Sequence, residues 1–331
     1  MTQEQQGLIW LAHAKLSPKT VEHLLSVYGS AEALLNNNSL VFEQNCTPKQ
    51  AQLLRQSLEE LPIVLQQMKN LGVELLTKQD AAYPQRLREL ADAPYALFYK
   101  GNVDCLQKNC IAVVGTRKPS FYGQKVAKEL AQNFAKQNIN VVSGFAMGID
   151  TCAHEAASEY GTTCAVCGCG FAINYPQSNA KLKQQILNNG GLIMSEYSPY
   201  TPPLSYHFPF RNRIIAALSQ MVFFVEGASK SGGMLTVEKA IELGKSVYAV
   251  PGNIYNLLSE GPNSLIALGQ AKCYYDFAQA LEELNIKEPQ LQVQEIYATN
   301  IENELSGLQL EVYRVLKQSE RSFDELVYIC K

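Results

Sequence analysis

Four segments of the chain combine glycine, hydroxyl and cationic residues at places where strands are expected to give way to helices. They are Gly115–Lys118, Ser143–Asp150, Phe208–Arg213 and Lys230–Thr236. Backbone amides at helix N-termini, hydroxyl groups and guanidinium groups all bind phosphate well. One such loop is a weak indication, because a glycine in a strand–helix turn often serves only the turn. The four loops together predict a phosphate-binding pocket, without distinguishing a mononucleotide from a nucleic-acid backbone.

Familiar cofactor and metal motifs are absent from the sequence. There is no G-x-x-x-x-G-K-[ST] loop, and no G-x-G-x-x-G loop follows the first predicted strand. The main sequence evidence for an ATPase or a dehydrogenase is therefore missing. Cys164, Cys167 and Cys169 lie within six residues. Two of them fall on a predicted buried strand, where cysteine acts as a small apolar residue, and no fourth ligand is evident. We therefore expect neither a cofactor nor a metal ion.

A few titratable residues near the same loops could act as acids or bases. Asp150 and His154 are four residues apart on a predicted helix and could form an acid–base pair. A carboxylate at a helix N-terminus and a histidine packed against its neighbours also explain them without catalysis, and we favour that interpretation. Glu196 and Glu226 each follow a predicted strand, where they could be catalytic or could hold an arginine in place.

The loops can converge only if the strands before them are neighbours in one sheet. Short, continuous apolar segments are typical of parallel strands that are buried on both faces. Six are predicted, at Ile111–Gly115, Ile139–Ser143, Thr163–Cys167, Gly191–Ser195, Met221–Val225 and Ser246–Val250. Helices are predicted between several of them, at Gly123–Lys136, Gly148–Glu159, Asn179–Asn188, Arg211–Ala217 and Gly233–Leu243. This alternation predicts an α/β fold with a Rossmann-like, doubly wound sheet, in which ligands bind at the carboxyl ends of the strands.

Changes in sequence pattern divide the chain into four segments. Residues 1–72 carry apolar residues at helical spacing and predict a small all-helical domain. Residues 73–284 begin with a loop-rich stretch, LLTKQDAAYPQRLRELADAPYALFYKGN, and continue as the α/β domain. Residues 285–303 are polar and predict a linker. Residues 304–331 hold one amphipathic helix and the start of a second, which is too little for a core of their own.

The composition is that of a soluble globular protein, with 331 residues of which 47% are apolar and 18% are charged. The sequence has no apolar run of about 18 residues and no N-terminus that resembles a signal peptide. Its nine cysteines are scattered and odd in number, so we expect them to be reduced thiols. We therefore expect a cytoplasmic protein without a membrane partner. The formal net charge of −3 argues at first sight against a polyanionic partner. The argument is weak, because binding depends more on where positive charge lies than on its sum.

Ordered sequence blocks between about Leu75 and Cys273 resemble the bacterial DNA-processing protein A family, DprA/Smf. The blocks are YPQRLRELADAPYALFYKG, IAVVGTRKPSFYG, VVSGFAMGIDTCAHEAA, INYPQSNAKL, GGLIMSEYSP, HFPFRNRIIAALS, VEGASKSGGMLTVEKAIELGKSVYAVPGNI and EGPNSLIALGQA. The resemblance implies an extended Rossmann domain that follows a sterile-alpha-motif-like or helix-hairpin-helix-like module and precedes a winged-helix domain, here truncated. It also implies a homodimer that binds and protects single-stranded DNA in natural transformation and helps to load the RecA recombinase, with no established catalytic turnover.

The resemblance also implies where the DNA would bind. Carried over by position, the pocket uses Arg117, the Ser143–Gly144 loop, residues 174–177 and the cluster from Arg211 to Arg213. An aromatic face for a base would come from Tyr175 or Phe171, and stacking is worth about 1–3 kcal/mol per base. Together with the loops described above, the expected DNA-binding residues are Gly115, Thr116, Arg117, Ser143, Gly144, Phe171, Asn174, Tyr175, Gln177, Asn179, Lys181, Arg211, Asn212, Arg213, Lys230, Ser231 and Thr236.

Two positions depart from the family pattern. Relatives commonly carry a cation where this chain has Met147, and often a lysine where it has Gln177. Two positive charges would therefore be missing from the rim of the pocket. Lys181 and Lys183 could substitute for them.

An enzyme is the alternative hypothesis. Phosphoribohydrolases of the same Rossmann superfamily cleave nucleoside monophosphates with a P-G-G-x-G-T-x-x-E loop. In the segment SGGMLTVEK, Ser231 replaces the proline, Leu235 replaces the third glycine, and Lys239 takes the place of the glutamate, with Glu238 one position early. Because the carboxylate would project elsewhere on the helix, the sequence favours the DNA-binding function.

Overall fold

The structure, a computed structural model, describes residues 1–36, 42–285 and 307–318, together with residue 326. The chain forms two compact units, residues 1–277 and residues 278–331. The second unit contains most of helix α13 (Phe277–Glu283) and helix α14 (Leu308–Gln318). Most of the predicted linker, and the start of the second helix predicted in the tail, lie outside the described residues. No helix in the described ranges has the length and apolar character that a membrane span requires.

The described part of the first unit begins with five helices, in agreement with the all-helical segment that the sequence predicts. They are α1 (Gln3–His13), α2 (Pro18–Tyr28), α3 (Ala31–Asn36), α4 (Phe42–Asn45) and α5 (Pro48–Leu71). Thr2 and Thr47 begin α1 and α5 with capping boxes, in which a threonine hydroxyl and a glutamine three residues later satisfy amides of the first turn. The Trp10 side chain is fully buried, and its indole N–H donates to the Leu54 carbonyl over 2.9 Å. The predicted boundary at residue 72 falls inside this unit, so an independent helical domain stays a prediction.

The rest of the first unit is built on one sheet of nine strands. The strands are β1 (Glu74–Thr77), β2 (Ala96–Gly101), β3 (Cys110–Val114), β4 (Asn140–Ser143), β5 (Thr163–Cys167), β6 (Leu192–Ser195), β7 (Met221–Phe224), β8 (Ser246–Ala249) and β9 (Lys272–Cys273). Their order in the sheet is β1-β2-β6-β5-β4-β3-β7-β8-β9, and all neighbours from β6 to β9 are parallel. The structure thus confirms the predicted doubly wound α/β sheet.

Helices alternate with the strands. They are α6 (Gln85–Arg88), α7 (Phe121–Lys136), α8 (Ile149–Tyr160), α9 (Ala180–Asn188), α10 (His207–Leu218), α11 (Gly232–Glu242) and α12 (Glu260–Ala267). Short 3₁₀ turns occur at Val103–Gln107, Gln177–Asn179 and Leu257–Ser259. Successive residues of a strand face opposite sides of a sheet. Val166 therefore packs with α10 and α11, whereas its neighbour Ala165 packs with α9 and the N-terminal helices.

Two predictions about individual elements are wrong. The stretch expected to be loop-rich contains strands β1 and β2, which pair antiparallel with each other, and β2 pairs antiparallel with β6. These strands are short, and the helix between them, α6, has only four residues, so the alternation of apolar strands with long helices does not reveal them. The segment Phe208–Arg213 forms the first turns of α10 and is not a loop. Pro209 lies early enough in that helix to be tolerated.

A buried ion pair fixes α10 to the sheet. The Arg213 guanidinium, 4% exposed, donates to both carboxylate oxygens of Glu196 over 2.7 Å and to Asp92 Oδ2 over 2.9 Å. Glu196 directly follows β6, and its carboxylate is 14% exposed. Removing one partner of such a pair leaves the other charged and buried, which is strongly destabilising.

We expect Glu196→Gln to lower the free energy of unfolding by about 3 kcal/mol, because Arg213 keeps only Asp92 as a charged partner. Urea denaturation at neutral pH measures the loss. The matched control is Glu242→Gln, which removes an exposed carboxylate 2.6 Å from Lys239 and should cost less than about 1 kcal/mol. Equal losses for the two variants would show that the Arg213 pair does not support the fold.

Candidate functional site

A cavity of about 820 Å³ lies at the carboxyl ends of the central strands. It occurs beside β3, whose neighbours are β4 on one side and β7 on the other. The strand order reverses at this point, and ligands of open α/β sheets bind in the crevice that the reversal creates. Its volume is in the range of about 300–1,000 Å³ that is typical of ligand pockets. All four segments predicted to bind phosphate contribute to its lining.

Many of the predicted binding residues line this cavity. They are Gly115, Thr116, Arg117, Tyr175, Arg211, Asn212, Ser231 and Thr236. Gly144 lines a smaller adjoining pocket that shares Arg117, Tyr175 and Phe208 with the cavity. The structure therefore brings together residues that are up to 121 positions apart in the chain, from Gly115 to Thr236.

The mouth of the cavity combines a cation with two aromatic rings. Arg117 is exposed, and its Cζ lies 5.7 Å from the centroid of the Phe208 ring. The Phe208 and Tyr175 rings are 5.3 Å apart at an angle of 36°. The Tyr175 side chain is 42% exposed, so part of its ring is open to solvent. Sequence reasoning did not select Phe208, although its place in a segment with two arginines and a proline was a usable signal.

The floor beside Gly144 is held by two buried charged residues. Asp150 Oδ2 accepts hydrogen bonds from the amides of Gly144, over 3.1 Å, and Ala146, over 3.2 Å. From α10, Arg211 Nη1 donates to the Gly144 carbonyl over 2.5 Å and to the Val166 carbonyl. Burial raises the pKa of Asp150 and lowers that of Arg211, and the opposite charge of each residue resists the shift of the other. Arg211 therefore positions the loop after β4 as well as lining the cavity.

Four predicted DNA-binding residues are buried behind the site. Arg213 lies two residues from Arg211, which is about 200° around the helix, and its charge is matched by Glu196 and Asp92. Phe171 is 6% exposed within the core, so the expectation that its ring faces a base is wrong. The other two are Ser143, which donates to the Val113 carbonyl, and Asn179, which donates to the Phe145 carbonyl and to Thr151. These contacts give all four residues a structural role.

The remaining predicted residues are exposed and lie outside the lining of the cavity. They are Asn174, Gln177, Lys181 and Lys230. Of the two lysines expected to compensate for missing cations, Lys183 donates to the Phe171 carbonyl over 2.5 Å, and burial lowers the pKa of its ammonium group. Lys181 is exposed. Met147 is exposed at the adjoining pocket. A role for these residues in binding stays a prediction.

The carboxylates considered as acids or bases support the loops. Glu226 is 1% exposed, and its carboxylate accepts from the Ser120 amide over 2.9 Å and from the Ser120 hydroxyl over 2.6 Å. Its carbonyl accepts from the Thr116 amide over 2.7 Å, so it fixes both ends of the loop after β3. Glu196 is the buried partner of Arg213. These contacts agree with the interpretation in which the glutamates hold other groups in place.

His154 is fully buried beside Arg211 and has no hydrogen bond to Asp150 in the described structure. Its Nδ1 is 2.7 Å from the Thr163 hydroxyl. Burial, together with the positive charge of Arg211, lowers the pKa of the imidazole to about 3. The side chain is therefore neutral at physiological pH and packs as a structural group.

Comparison with known proteins identifies relatives of this chain. Residues 74–285 match the family described as DNA recombination-mediator protein A. The DNA processing protein DprA of Streptococcus pneumoniae is 45% identical over 191 residues, which are 57% of this chain and 67% of that protein. The X-ray structure of DprA from Streptococcus pneumoniae matches with a TM-score of 0.71 at 33% identity, over 86% of this chain and 98% of that one.

A second solved structure is that of DNA processing protein A from Helicobacter pylori, which is described as having a unique single-stranded DNA binding mode. It matches with a TM-score of 0.59 at 31% identity, over 64% of this chain and 95% of that one. Both solved structures share the α/β fold of this chain.

The close packing around Gly144 gives a prediction about stability. A Cβ atom at this position would lie 2.6 Å from Arg211 Nη2 and 2.7 Å from Asp150 Oδ2, so Gly144→Ala should lower the free energy of unfolding by about 2 kcal/mol or more. Gly232→Ala is the control, because a Cβ there meets nothing within 4 Å, and it should change stability by less than about 0.5 kcal/mol. Chemical denaturation measures both variants. Similar values would contradict the packing described here.

The buried His154 gives a prediction about pH. Because its folded pKa of about 3 lies below the unfolded value of about 6.5, the folded state favours the neutral ring, and stability falls as pH falls. This residue should cost about 1.4 kcal/mol at pH 5.5 relative to pH 8. Urea denaturation at the two pH values should show a smaller loss for His154→Gln than for the wild type. The exposed control His23→Gln should keep the wild-type loss, and an unchanged loss in His154→Gln would refute the assignment.

Proposed function

The chain belongs to the DNA recombination-mediator protein A family of DNA-processing proteins, and from that premise we propose that its cavity binds single-stranded DNA. The observation that carries the proposal is the environment of Arg117. Its guanidinium is exposed at the mouth, lies against the Phe208 ring, and has no carboxylate partner among the described residues. An exposed, unpaired arginine beside an amide-rich loop is a good phosphate ligand.

The aromatic rings favour a single strand over a duplex. Sequence-tolerant binding of single strands combines cations that follow the phosphates with aromatic faces on which bases stack. Tyr175 and Phe208 lie at the mouth next to Arg117 and can meet a base only if it is free of its own stack. A duplex keeps its bases stacked inside, so it could use the cation but not the rings.

A binding function also agrees better with the lining than catalysis does. Glu238, the carboxylate that the phosphoribohydrolase hypothesis would use, lies in a separate groove with Ile241 and Glu242. Asp150, which does line the cavity, is buried and already accepts hydrogen bonds from two loop amides. Neither carboxylate is placed to attack a sugar in the cavity. The proposed function is therefore binding without turnover.

The wider role follows from family membership. The proposal includes a homodimer that acts in the cytoplasm on single strands taken up in natural transformation, protects them, and helps to load RecA on them. The support for this part is the relationship to proteins named DNA processing protein DprA. The cavity itself supports only the contact with the strand.

Arg117→Ala should weaken binding of single-stranded DNA by about tenfold at low salt, because one charged contact to phosphate is lost. The loss should be similar for different sequences, and the slope of log K against log salt should fall by about 0.7. Fluorescence anisotropy with labelled single-stranded oligonucleotides over a range of salt concentrations measures both quantities. A labelled duplex of the same length should bind more weakly to the wild type.

The matched control is Lys136→Ala, which removes an exposed cation at the other end of α7, the helix that follows the Arg117 loop. That end lies about 24 Å from the start of α7, at about 1.5 Å per residue for a helix of 16 residues. Its affinity and salt slope should equal those of the wild type. If Arg117→Ala behaves like Lys136→Ala, the cavity is not the DNA site.

A further inference from the structure

Beside the cavity, large apolar side chains from two segments of the chain are exposed to solvent. They are Phe121, Tyr122, Ile254, Tyr255 and Leu257, which we call the outer patch. The first two begin α7, and the other three belong to the loop that follows β8. The two segments are in contact, because the Tyr122 hydroxyl donates to the Pro251 carbonyl over 3.0 Å. Phe121 is 83% exposed and Tyr255 is 90% exposed, so both rings are open to a ligand.

The outer patch continues from the lining of the cavity. Lys118 lines the cavity and lies three positions before Phe121. Leu258 also lines the cavity and directly follows Leu257. A ligand that extends out of the cavity on this side therefore meets the outer patch next.

The loop after β8 is held in place by hydrogen bonds. The Gly252 amide donates to Asn263 Oδ1 over 3.1 Å, and Asn263 Nδ2 donates to the Gly252 carbonyl over 3.0 Å. The Tyr255 amide donates to Asn253 Oδ1 over 2.9 Å. Grouped apolar side chains on the surface mark interaction sites, whereas single scattered ones do not. The outer patch is such a group, and its backbone is already ordered.

The surface around the outer patch is positively charged. Residues 115–128 contain four lysines and arginines and no aspartate or glutamate, and residues 251–259 contain no charged residue. Lys118 and Lys125 are exposed, and neither has a carboxylate partner among the described residues. Glu260, at the start of α12, is the acidic residue that follows the loop. A ligand of the outer patch therefore meets unpaired positive charge next to the rings.

Two other surfaces next to the cavity lack this combination of rings and cations. Tyr206 and Phe210 are exposed, but residues 197–210 contain no lysine or arginine. The stretch from Tyr175 to Lys181 has one exposed ring and one exposed cation. The outer patch is therefore the better surface for an anion that also carries flat apolar groups.

We propose that the outer patch binds the continuation of the single strand that occupies the cavity. Its bases contact the rings of Phe121 and Tyr255, and its phosphates lie near Lys118 and Lys125. Lys125 is four positions after Phe121, so the two side chains share one face of α7. A single strand offers both negative charge and free base faces, which is the combination that the patch requires. The inference rests on the proposed function and adds contacts outside the cavity.

The test compares labelled single-stranded oligonucleotides of about 4 and about 16 nucleotides, the range of site sizes for single-strand binding folds. Fluorescence anisotropy with the full chain measures the ratio of their affinities. The longer oligonucleotide gains a statistical factor from its many binding positions, but this factor is the same for every variant. Tyr255→Ala should lower the ratio by about fivefold or more, because a stacked base is lost. Tyr255→Phe keeps the ring and should keep the ratio.

The matched control is Tyr160→Ala, which removes an exposed tyrosine from the C-terminal end of α8. Its ratio should equal that of the wild type, and thermal unfolding confirms that each variant is folded. An unchanged ratio in Tyr255→Ala would overturn the proposal. Light scattering measures the oligomeric state. If Tyr255→Ala lowers the ratio only together with a change of oligomeric state, the outer patch contacts a second copy of the chain, and the proposal is overturned as well.

The shorter oligonucleotide separates this inference from the proposed function. It fills the cavity alone, so its affinity should fall in Arg117→Ala and stay unchanged in Tyr255→Ala. If Arg117→Ala leaves its affinity unchanged, the proposed function fails, and a ratio that still falls in Tyr255→Ala supports strand binding at the outer patch. If neither oligonucleotide binds, both the proposed function and this inference are overturned.

Discussion

The close approach of Arg211 and Asp150 to the backbone of Gly144 is the constraint on which the rest of the site depends. From α10, the Arg211 guanidinium donates to the carbonyls of Gly144, just after β4, and Val166, near the end of β5, while the Asp150 carboxylate accepts from the amides of Gly144 and Ala146. Only a glycine leaves room for both groups. The next residue, Phe145, takes a left-handed conformation with φ of 59°, which is unusual for a bulky side chain. These contacts hold the loop after β4, which lines the smaller pocket with Gly144, Phe145, Ala146 and Met147.

The buried charges also explain how a slightly acidic chain can leave positive charge exposed at the cavity. Glu226 and Asp150 occupy the starts of α7 and α8, and Glu196 with Asp92 neutralises Arg213. These carboxylates count in the net charge of −3, but they are already paired with amides, hydroxyls or Arg213 of the same chain. Arg117 and Lys118 remain exposed at the cavity. The field that a ligand meets is therefore set by the few charges that the fold leaves unpaired.

The sequence predicts the central sheet well because its strands are continuous apolar runs. β5 matches its predicted range of Thr163–Cys167, four other predicted strands differ by one residue at one end, and β3 is displaced by one residue at both ends. The converging loops could also be predicted, because glycines, hydroxyls and cations follow those strands. The different surroundings of Arg211 and Arg213 could not be predicted. They depend on where α10 starts and on carboxylates that are distant in sequence. Similarly, nothing in the residue type of Phe171 or Thr236 reveals whether its side chain is covered.

The rigid surroundings of Arg117 affect how much a single exposed arginine can contribute to the free energy of binding. A long side chain that is free in solution loses conformational entropy when it binds, and this reduces its contribution. Here Glu226 fixes the loop that carries Arg117 through Thr116 and Ser120, and the Phe208 ring lies beside the guanidinium. Phe208 is in turn part of α10, the helix that Arg211 and Arg213 tie to the sheet. The two buried arginines therefore support the proposed binding indirectly, because they hold the helix whose Phe208 ring lies beside Arg117.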